Sequence, residues 1–297
     1  MHIPALLKEA LEYLDPKPGE NFIDCTFGFG GHAFPISERL LPDGKLLGIE
    51  YDKEIFEKLK LQISKSKLQK NIILINNNFN KLKEIVKNDK FFKSNNINGV
   101  LFDLGVSSWH FDESSRGFSF QGNEPLMMNC SREGLNAEDI VNEWSKEELI
   151  RIFREYGEER FARNIAESIY LNRQRERIKT TEQLVDIVRL AVPGKYRHGR
   201  IHFATRIFQA LRIVVNDELE NLKKALPQAL EVLEKDGRLV VISFHSLEDR
   251  IVKHFFREKA SEDSLKILTK KPIIPGEDEI NLNFRSRSAK LRAAIKI

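Results

Sequence analysis

Phe22-Ile23-Asp24-Cys25-Thr26-Phe27-Gly28-Phe29-Gly30-Gly31-His32 is a short apolar run that breaks into clustered glycines and then into sequence of helical pattern. It reads as a strand, a tight turn and a helix start. Glycine takes positive φ without steric cost and lets the backbone approach a ligand, while the helix that follows presents unpaired N–H groups. Gly28-Phe29-Gly30-Gly31-His32-Ala33 fits the loose fingerprint G-x-G-x-x-G/A, and Glu50 lies about 20 residues on, where an acid that binds ribose is expected. Alone, the turn supports a cofactor-binding α/β unit and leaves the cofactor open between a dinucleotide and S-adenosylmethionine. An ordinary glycine-rich loop is the competing reading.

Outward from this turn, the chain alternates short apolar runs with helical patterns. A helix is expected over residues 5–14, ended by Asp15-Pro16-Lys17-Pro18-Gly19, and strands over 21–26, 45–51 and 71–76. Ile55, Leu59 and Ile63 share one face of a helix between the second and third strands. Such alternation implies a parallel sheet. A fourth strand, 99–103, runs into Leu104-Gly105-Val106-Ser107-Ser108, a small-residue turn suited to line a crevice at the carboxyl ends of the strands.

From about Trp109 to Asn216 the strand pattern stops and helices are predicted, two of them opened by the capping boxes Ser145-Lys146-Glu147-Glu148 and Thr180-Thr181-Glu182-Gln183. The α/β pattern returns with a long helix ending near Leu233 and a strand at 238–243. Residues 265–270 and 288–297 are expected to add a last strand pair. The expected division is therefore a first part, 1–108, an inserted helical substrate-recognition domain, 109–215, and a second part, 216–297.

A chain of 297 residues, 41% of them hydrophobic, is long enough for one large domain or two smaller ones. The net charge of +4, from 48 basic and 44 acidic residues, means that an anionic partner must be met by local clusters. Cys25 and Cys130 are too few for a disulfide framework or a zinc site, so two free thiols in a reducing compartment are expected. Met1-His2-Ile3-Pro4 lacks the features of a signal peptide, and no uncharged apolar run approaches the roughly 18 residues of a membrane span. A cytoplasmic protein with no membrane partner is expected.

Several side chains can carry chemistry. Glu50 closes the second strand, where a carboxylate can accept hydrogen bonds from both hydroxyls of an adenosine ribose. Phe79, just past the third strand, is either a core ring or one that packs on adenine. Asp103 is the sharpest candidate, because its carboxylate should emerge beside the cofactor at the end of the fourth strand. Ser246 and Asp249 read as a capping pair, and His245 before them can contact substrate or phosphate. Lys195, Arg197, His198, Arg200, His202 and Arg206 fall in one acid-free stretch with Tyr196 and Phe203 interleaved, and Arg285, Arg287, Lys290 and Arg292 form a second cluster. Two such clusters favour RNA or DNA over a small substrate, with cations on phosphates and rings on bases.

Over nearly its whole length the chain resembles the bacterial MraW/RsmH methyltransferases. The carriers are the opening stretch, Leu104-Gly105-Val106-Ser107-Ser108, Arg116-Gly117-Phe118-Ser119-Phe120, Tyr156-Gly157-Glu158-Glu159-Arg160-Phe161-Ala162, Ala204-Thr205-Arg206-Ile207-Phe208-Gln209-Ala210-Leu211-Arg212, residues 244–250 and Arg285-Ser286-Arg287-Ser288-Ala289-Lys290-Leu291-Arg292. The resemblance implies a class I, Rossmann-like methyltransferase fold with a mostly parallel sheet, interrupted by a helical domain. It implies S-adenosylmethionine as cofactor, with contacts at Gly28, Gly30, Gly31, His32, Glu50, Phe79, Asp103 and His110. It also implies N4-methylation of a cytidine in the decoding centre of 16S ribosomal RNA, met as naked RNA or within the small ribosomal subunit. A DNA cytosine-N4 methyltransferase and a catalytically weak RNA-binding assembly factor are the alternatives; a homodimer is compatible with the sequence but nothing in its surface pattern demands one. The chain departs from the family at Met127-Met128-Asn129-Cys130-Ser131, where Asp-Met-Arg-Met-Asp is common. It departs also at Trp109-His110 for Pro-Gln, at Glu50 for Asp and at Phe203 for proline.

Overall fold

Among the described residues, seven strands form one sheet in the order β3-β2-β1-β4-β5-β7-β6: β1 Asn21–Asp24, β2 Lys45–Glu50, β3 Ile72–Asn76, β4 Gly99–Asp103, β5 Arg238–Ser243, β6 Leu265–Ile267 and β7 Lys290–Lys296. Strands β1 to β5 are parallel, and β7 is antiparallel to both of its neighbours, β5 and β6. This is the α/β class expected, a mostly parallel class I arrangement in which the order reverses between β1 and β4. The computed structural model describes residues 3–131 and 133–297; Met1 and His2, part of the start read above, lie outside them.

The strands are continuous apolar runs because both faces of a parallel sheet are covered. Ile23, Leu47, Val100, Phe102, Leu239 and Val241 share one core with Leu82, Ile85, Leu222, Leu226, Val252 and Phe256 from three helices. Their neighbours Phe22, Leu46, Leu101 and Val240 are equally buried, and the helices Leu7–Leu14 and Ala33–Leu40 pack against the sheet. The expected strands end one or two residues early at β1 and β2, where the chain bends into loops, and the helix predicted from Ala5 begins at Leu7.

The sheet unit runs to Gly105 and resumes at Leu219, and Val106–Glu218 forms a separate helical unit. Within the helical unit, Ile140, Leu149, Ile152, Phe153, Ile165, Ile169, Leu184, Val188, Ile207 and Leu211 make one core. Both predicted capping boxes are present: Ser145 with Glu148 opens Lys146–Glu155, and Thr180 with Gln183 opens Thr181–Ala191. Among the described residues no helix is long and apolar enough to cross a membrane.

Candidate active site

The parallel strands deliver Asp24, Glu50, Asn76, Asp103 and Ser243 to one end of the sheet, their carboxyl end, and the strand order reverses between β1 and β4, which is where open α/β sheets bind their ligands. Past β1, the Asp24 carboxylate takes the Thr26 N–H at 3.0 Å, and the Gly30 N–H bonds the Phe27 carbonyl at 2.9 Å. Gly28 and Gly30 both have positive φ, and a Cβ at Gly30 would run into the Phe34 ring. A side chain is excluded there on both counts.

Asp103 lies at the centre of a bonded network. Its N–H donates to Thr26 Oγ1 at 2.6 Å, and the Thr26 hydroxyl donates on to Asp24 Oδ1 at 3.4 Å. Its Oδ2 is 3.3 Å from His32 Nδ1, while Oδ1 is buried with no hydrogen-bond partner. Asp24 Oδ2 is buried and unpartnered in the same way. Buried polar atoms are rarely left so, which marks this end of the sheet as a candidate ligand site. Burial raises the Asp24 carboxyl to about 6 against the opposing effects of Thr26 and His32. For His32, burial works to lower the ring, but Asp103 and Asp24 outweigh it and the pKa rises.

Glu50 is held from both sides: Oε2 accepts the Gly28 N–H at 3.0 Å and Oε1 the Asp52 N–H at 2.7 Å. Burial raises this carboxyl to about 8, with those two amides opposing the shift. Glu50 thus links the glycine turn to the end of β2, and each oxygen keeps a second lone pair for a hydroxyl. The half-buried Phe79 ring stands edge-on to Phe102, with centroids 5.7 Å apart. The unpartnered oxygens, the glycine turn that admits no side chain and the exposed part of Phe79 fit a polar, adenosine-bearing cofactor.

The model of the MraW methylase family matches residues 1–297. The chain belongs to the MraW methylase family. A protein of Heliobacterium mobile named ribosomal RNA small subunit methyltransferase H is 43% identical over 312 residues, covering 100% of this chain and 99% of its own. One of the same name from Syntrophotalea carbinolica is 45% identical, covering 98% and 96%. S-adenosylmethionine is the methyl donor of this MraW methylase, as the sequence resemblance implies.

Other candidates are placed differently from expectation. The N-cap of Ser246–Ser261 is His245, not Ser246, because Glu248 turns back to accept the Phe244 and His245 N–H groups at 2.8 and 3.3 Å. The expected Ser246–Asp249 capping pair is thus displaced by one residue. His245 Nε2 lies 3.1 Å from the buried Glu248 Oε1. Asp249 is instead bound bidentately by Arg292, at 2.7 and 3.2 Å, which joins the motif at 244–250 to the one ending at Arg292. Despite its burial, the Asp249 carboxyl sits below its ordinary value because Arg292 and Lys290 face it.

In the helical unit, His110 is buried, with Nδ1 3.0 Å from Ser107 Oγ and its ring between those of Trp109 and Phe118. Contrary to the expectation above, the interleaved rings of the basic stretch are not free to stack on bases. Phe203 is buried in the core, and Tyr196 packs on Phe161 and donates its hydroxyl to Glu159 at 2.6 Å. Arg197 folds onto the Val192 carbonyl and Arg206 onto that of Glu158. His202 is stacked on Phe120 with centroids 4.5 Å apart, takes the Ala204 N–H on Nδ1, and has its pKa lowered by burial. Arg200 is exposed and makes no side-chain bond among the described residues. In the sheet unit Arg285 is exposed, and Arg287 stacks over the exposed Phe284 ring at 4.4 Å.

Asp24 and Thr26 were missed as site residues. Their signal was present, since an acid inside the apolar run Phe22-Ile23-Asp24-Cys25 must be buried and therefore bonded.

Proposed function

We propose that this chain methylates small-subunit ribosomal RNA, at the N4 amine of a cytidine in the decoding centre of 16S ribosomal RNA, by direct in-line transfer from S-adenosylmethionine. Family membership and the name shared by its relatives support the substrate class. The unpartnered, buried Oδ1 of Asp103 at the end of β4 is the observation that carries the site assignment.

S-adenosylmethionine supplies a methyl group made electrophilic by a sulfonium. The cytosine amine is a weak nucleophile because its lone pair is delocalised into the ring. The Asp103 carboxylate accepts a hydrogen bond from that amine, orients it and favours its pyramidal form. Residues Gly28, Gly30 and Gly31 line the cofactor with His32 behind them; Glu50 meets the ribose hydroxyls and Phe79 the adenine. His110, which the resemblance assigns to the cofactor, belongs to the helical unit. Holding the cytidine out of its stack is a task for cations on flanking phosphates. The cationic candidates are Arg197, Arg200 and Arg206 in the helical unit and Arg285 and Arg287 in the sheet unit; His202, its pKa lowered by burial, and His245 are candidates for hydrogen bonds to the RNA. Arg200 and Arg285 are exposed and Arg287 stands over an exposed ring, so these three are expected to contribute most.

Incubation with labelled S-adenosylmethionine and unmethylated small subunits, free 16S ribosomal RNA or DNA, followed by nucleoside mass spectrometry, tests the proposal. N4-methylcytidine from the subunits or their RNA is the expected product. Label found only in DNA, or subunit binding with no transfer, overturns it.

A further inference from the structure

We propose that His32 is a positioning residue that clamps the Asp103 carboxylate to the N-terminal segment of residues 4–6, so that the seating of this segment sets the orientation in which that carboxylate meets the substrate. The inference rests on the reading of Asp103 given under the proposed function. It assigns the N-terminal segment, which no sequence motif singles out, to the working parts of the site.

The argument starts from the His32 ring. Nε2 lies 3.0 Å from the Ala5 carbonyl oxygen, which can only accept, so that nitrogen carries a proton. Nδ1 lies 3.3 Å from Asp103 Oδ2, where a lone pair would face a carboxylate lone pair; only a second proton makes the contact attractive. His32 is therefore an imidazolium with both donors in use. At 4% exposure it has no free polar edge for a ligand, so its ring acts through Asp103 rather than on the cofactor. The charged groups that face it are Asp103 from β4 and Asp24 from β1, and the N-terminal segment meets it with the Ala5 carbonyl.

That segment is itself pinned. Leu6 is fully buried with φ 52°, a left-handed conformation that costs a non-glycine residue about 1 kcal/mol. Its N–H donates to Glu279 Oε1 at 2.8 Å, and Asn283 Nδ2 donates to the Ile3 carbonyl at 2.8 Å. Pro4 sits against Gly31, where an added Cβ would come within 3.0 Å of the proline ring. A continuous chain of contacts thus runs from Glu279 and Asn283, through residues 3–6, to His32 and Asp103. With Oδ2 held by His32 and the Asp103 N–H held by Thr26, the carboxylate is fixed in one orientation at the end of β4.

Paired substitutions test the clamp. In His32→Asn the amide nitrogen takes the place of Nδ1 and keeps a donor to Asp103; in His32→Gln it takes the place of Nε2 and keeps only the bond to Ala5. Turnover on small-subunit RNA, its pH profile, the affinity for S-adenosylmethionine by calorimetry and the thermal melt are measured for each. His32→Gln is expected to lose about 100-fold in kcat, the scale of a misplaced catalytic group, with cofactor affinity within about threefold of wild type. His32→Asn is expected to recover to within about tenfold of wild type and to lose the basic limb of the profile, since its donor does not titrate. Glu279→Ala, remote from the carboxylate, is expected to lower kcat about threefold and to move the basic limb to lower pH by loosening residues 4–6. Equal turnover in the Asn and Gln variants with an unchanged basic limb overturns the proposal. So does a loss of activity wholly explained by weaker cofactor binding, or a Glu279→Ala variant with wild-type kcat and pH profile. Absence of turnover in the wild-type protein overturns the functional reading itself, and is thereby told apart from failure of the clamp.

Discussion

Asp103 combines three things a reacting carboxylate needs: a backbone anchored by Thr26, one oxygen held by His32, and one buried oxygen left without a partner. Replacing it with Asn keeps the shape and removes the charge, and is expected to lower kcat by about 1,000-fold while the fold, by circular dichroism, is retained. Glu50 makes a prediction of opposite kind, about stability. Its carboxyl is raised from 4.5 to about 8 in the folded chain, so the fold prefers the neutral form. That preference favours folding fully below pH 4.5 and is lost as pH rises through about 8. Urea unfolding of the cofactor-free protein at a series of pH values should show this decline, and Glu50→Gln should flatten it. Asp249 runs the other way: its lowered pKa gives a contribution present above the ordinary carboxylate value and lost as pH falls through the folded value.

At the scale of elements, two sequence motifs prove to be parts of one joint. Asp249 at the start of the helix Ser246–Ser261 and Arg292 on β7 form a bidentate pair whose side chains are 13% and 9% exposed. Removing one member leaves a nearly buried charge, so Asp249→Ala is expected to cost about 3 kcal/mol by urea unfolding. A cap is worth less: Ser145→Ala should cost about 1 kcal/mol, read in amide exchange from Lys146–Glu155. Helices with alternating apolar faces and Ser or Thr caps were readable in advance because those signals are local. The cap at His245 was not, because Glu248 binds the two N–H groups before the helix and shifts its start by one residue. Nor were the roles of Tyr196 and Phe203, whose rings look available in a basic stretch but are claimed by Phe161, Glu159 and the helical core.

For the whole molecule, the proposed RNA contacts divide between two units. In the sheet unit Arg285 and Arg287 follow Phe284 on a short helix anchored by the buried Ser286. The double variant Arg285→Ala, Arg287→Ala should weaken binding to small-subunit RNA and reduce the slope of log K against log salt by about 0.7 for each phosphate no longer neutralised. Filter binding at several salt concentrations checks this, and an unchanged slope removes these arginines from the interface.

The sequence by itself determined the α/β alternation, the glycine turn, the strand-end acids Glu50 and Asp103, and the helical insertion. These depend on periodicity and on steric demands of single residues, which act over a few positions. Tertiary structure alone decided what each acid is bonded to. Residues 5, 24, 26, 32 and 103 meet only when β1 and β4 pair and the N-terminal segment folds back over the turn. Burial then removes water as a competing partner, so which oxygen stays free depends on where every neighbouring donor has been placed.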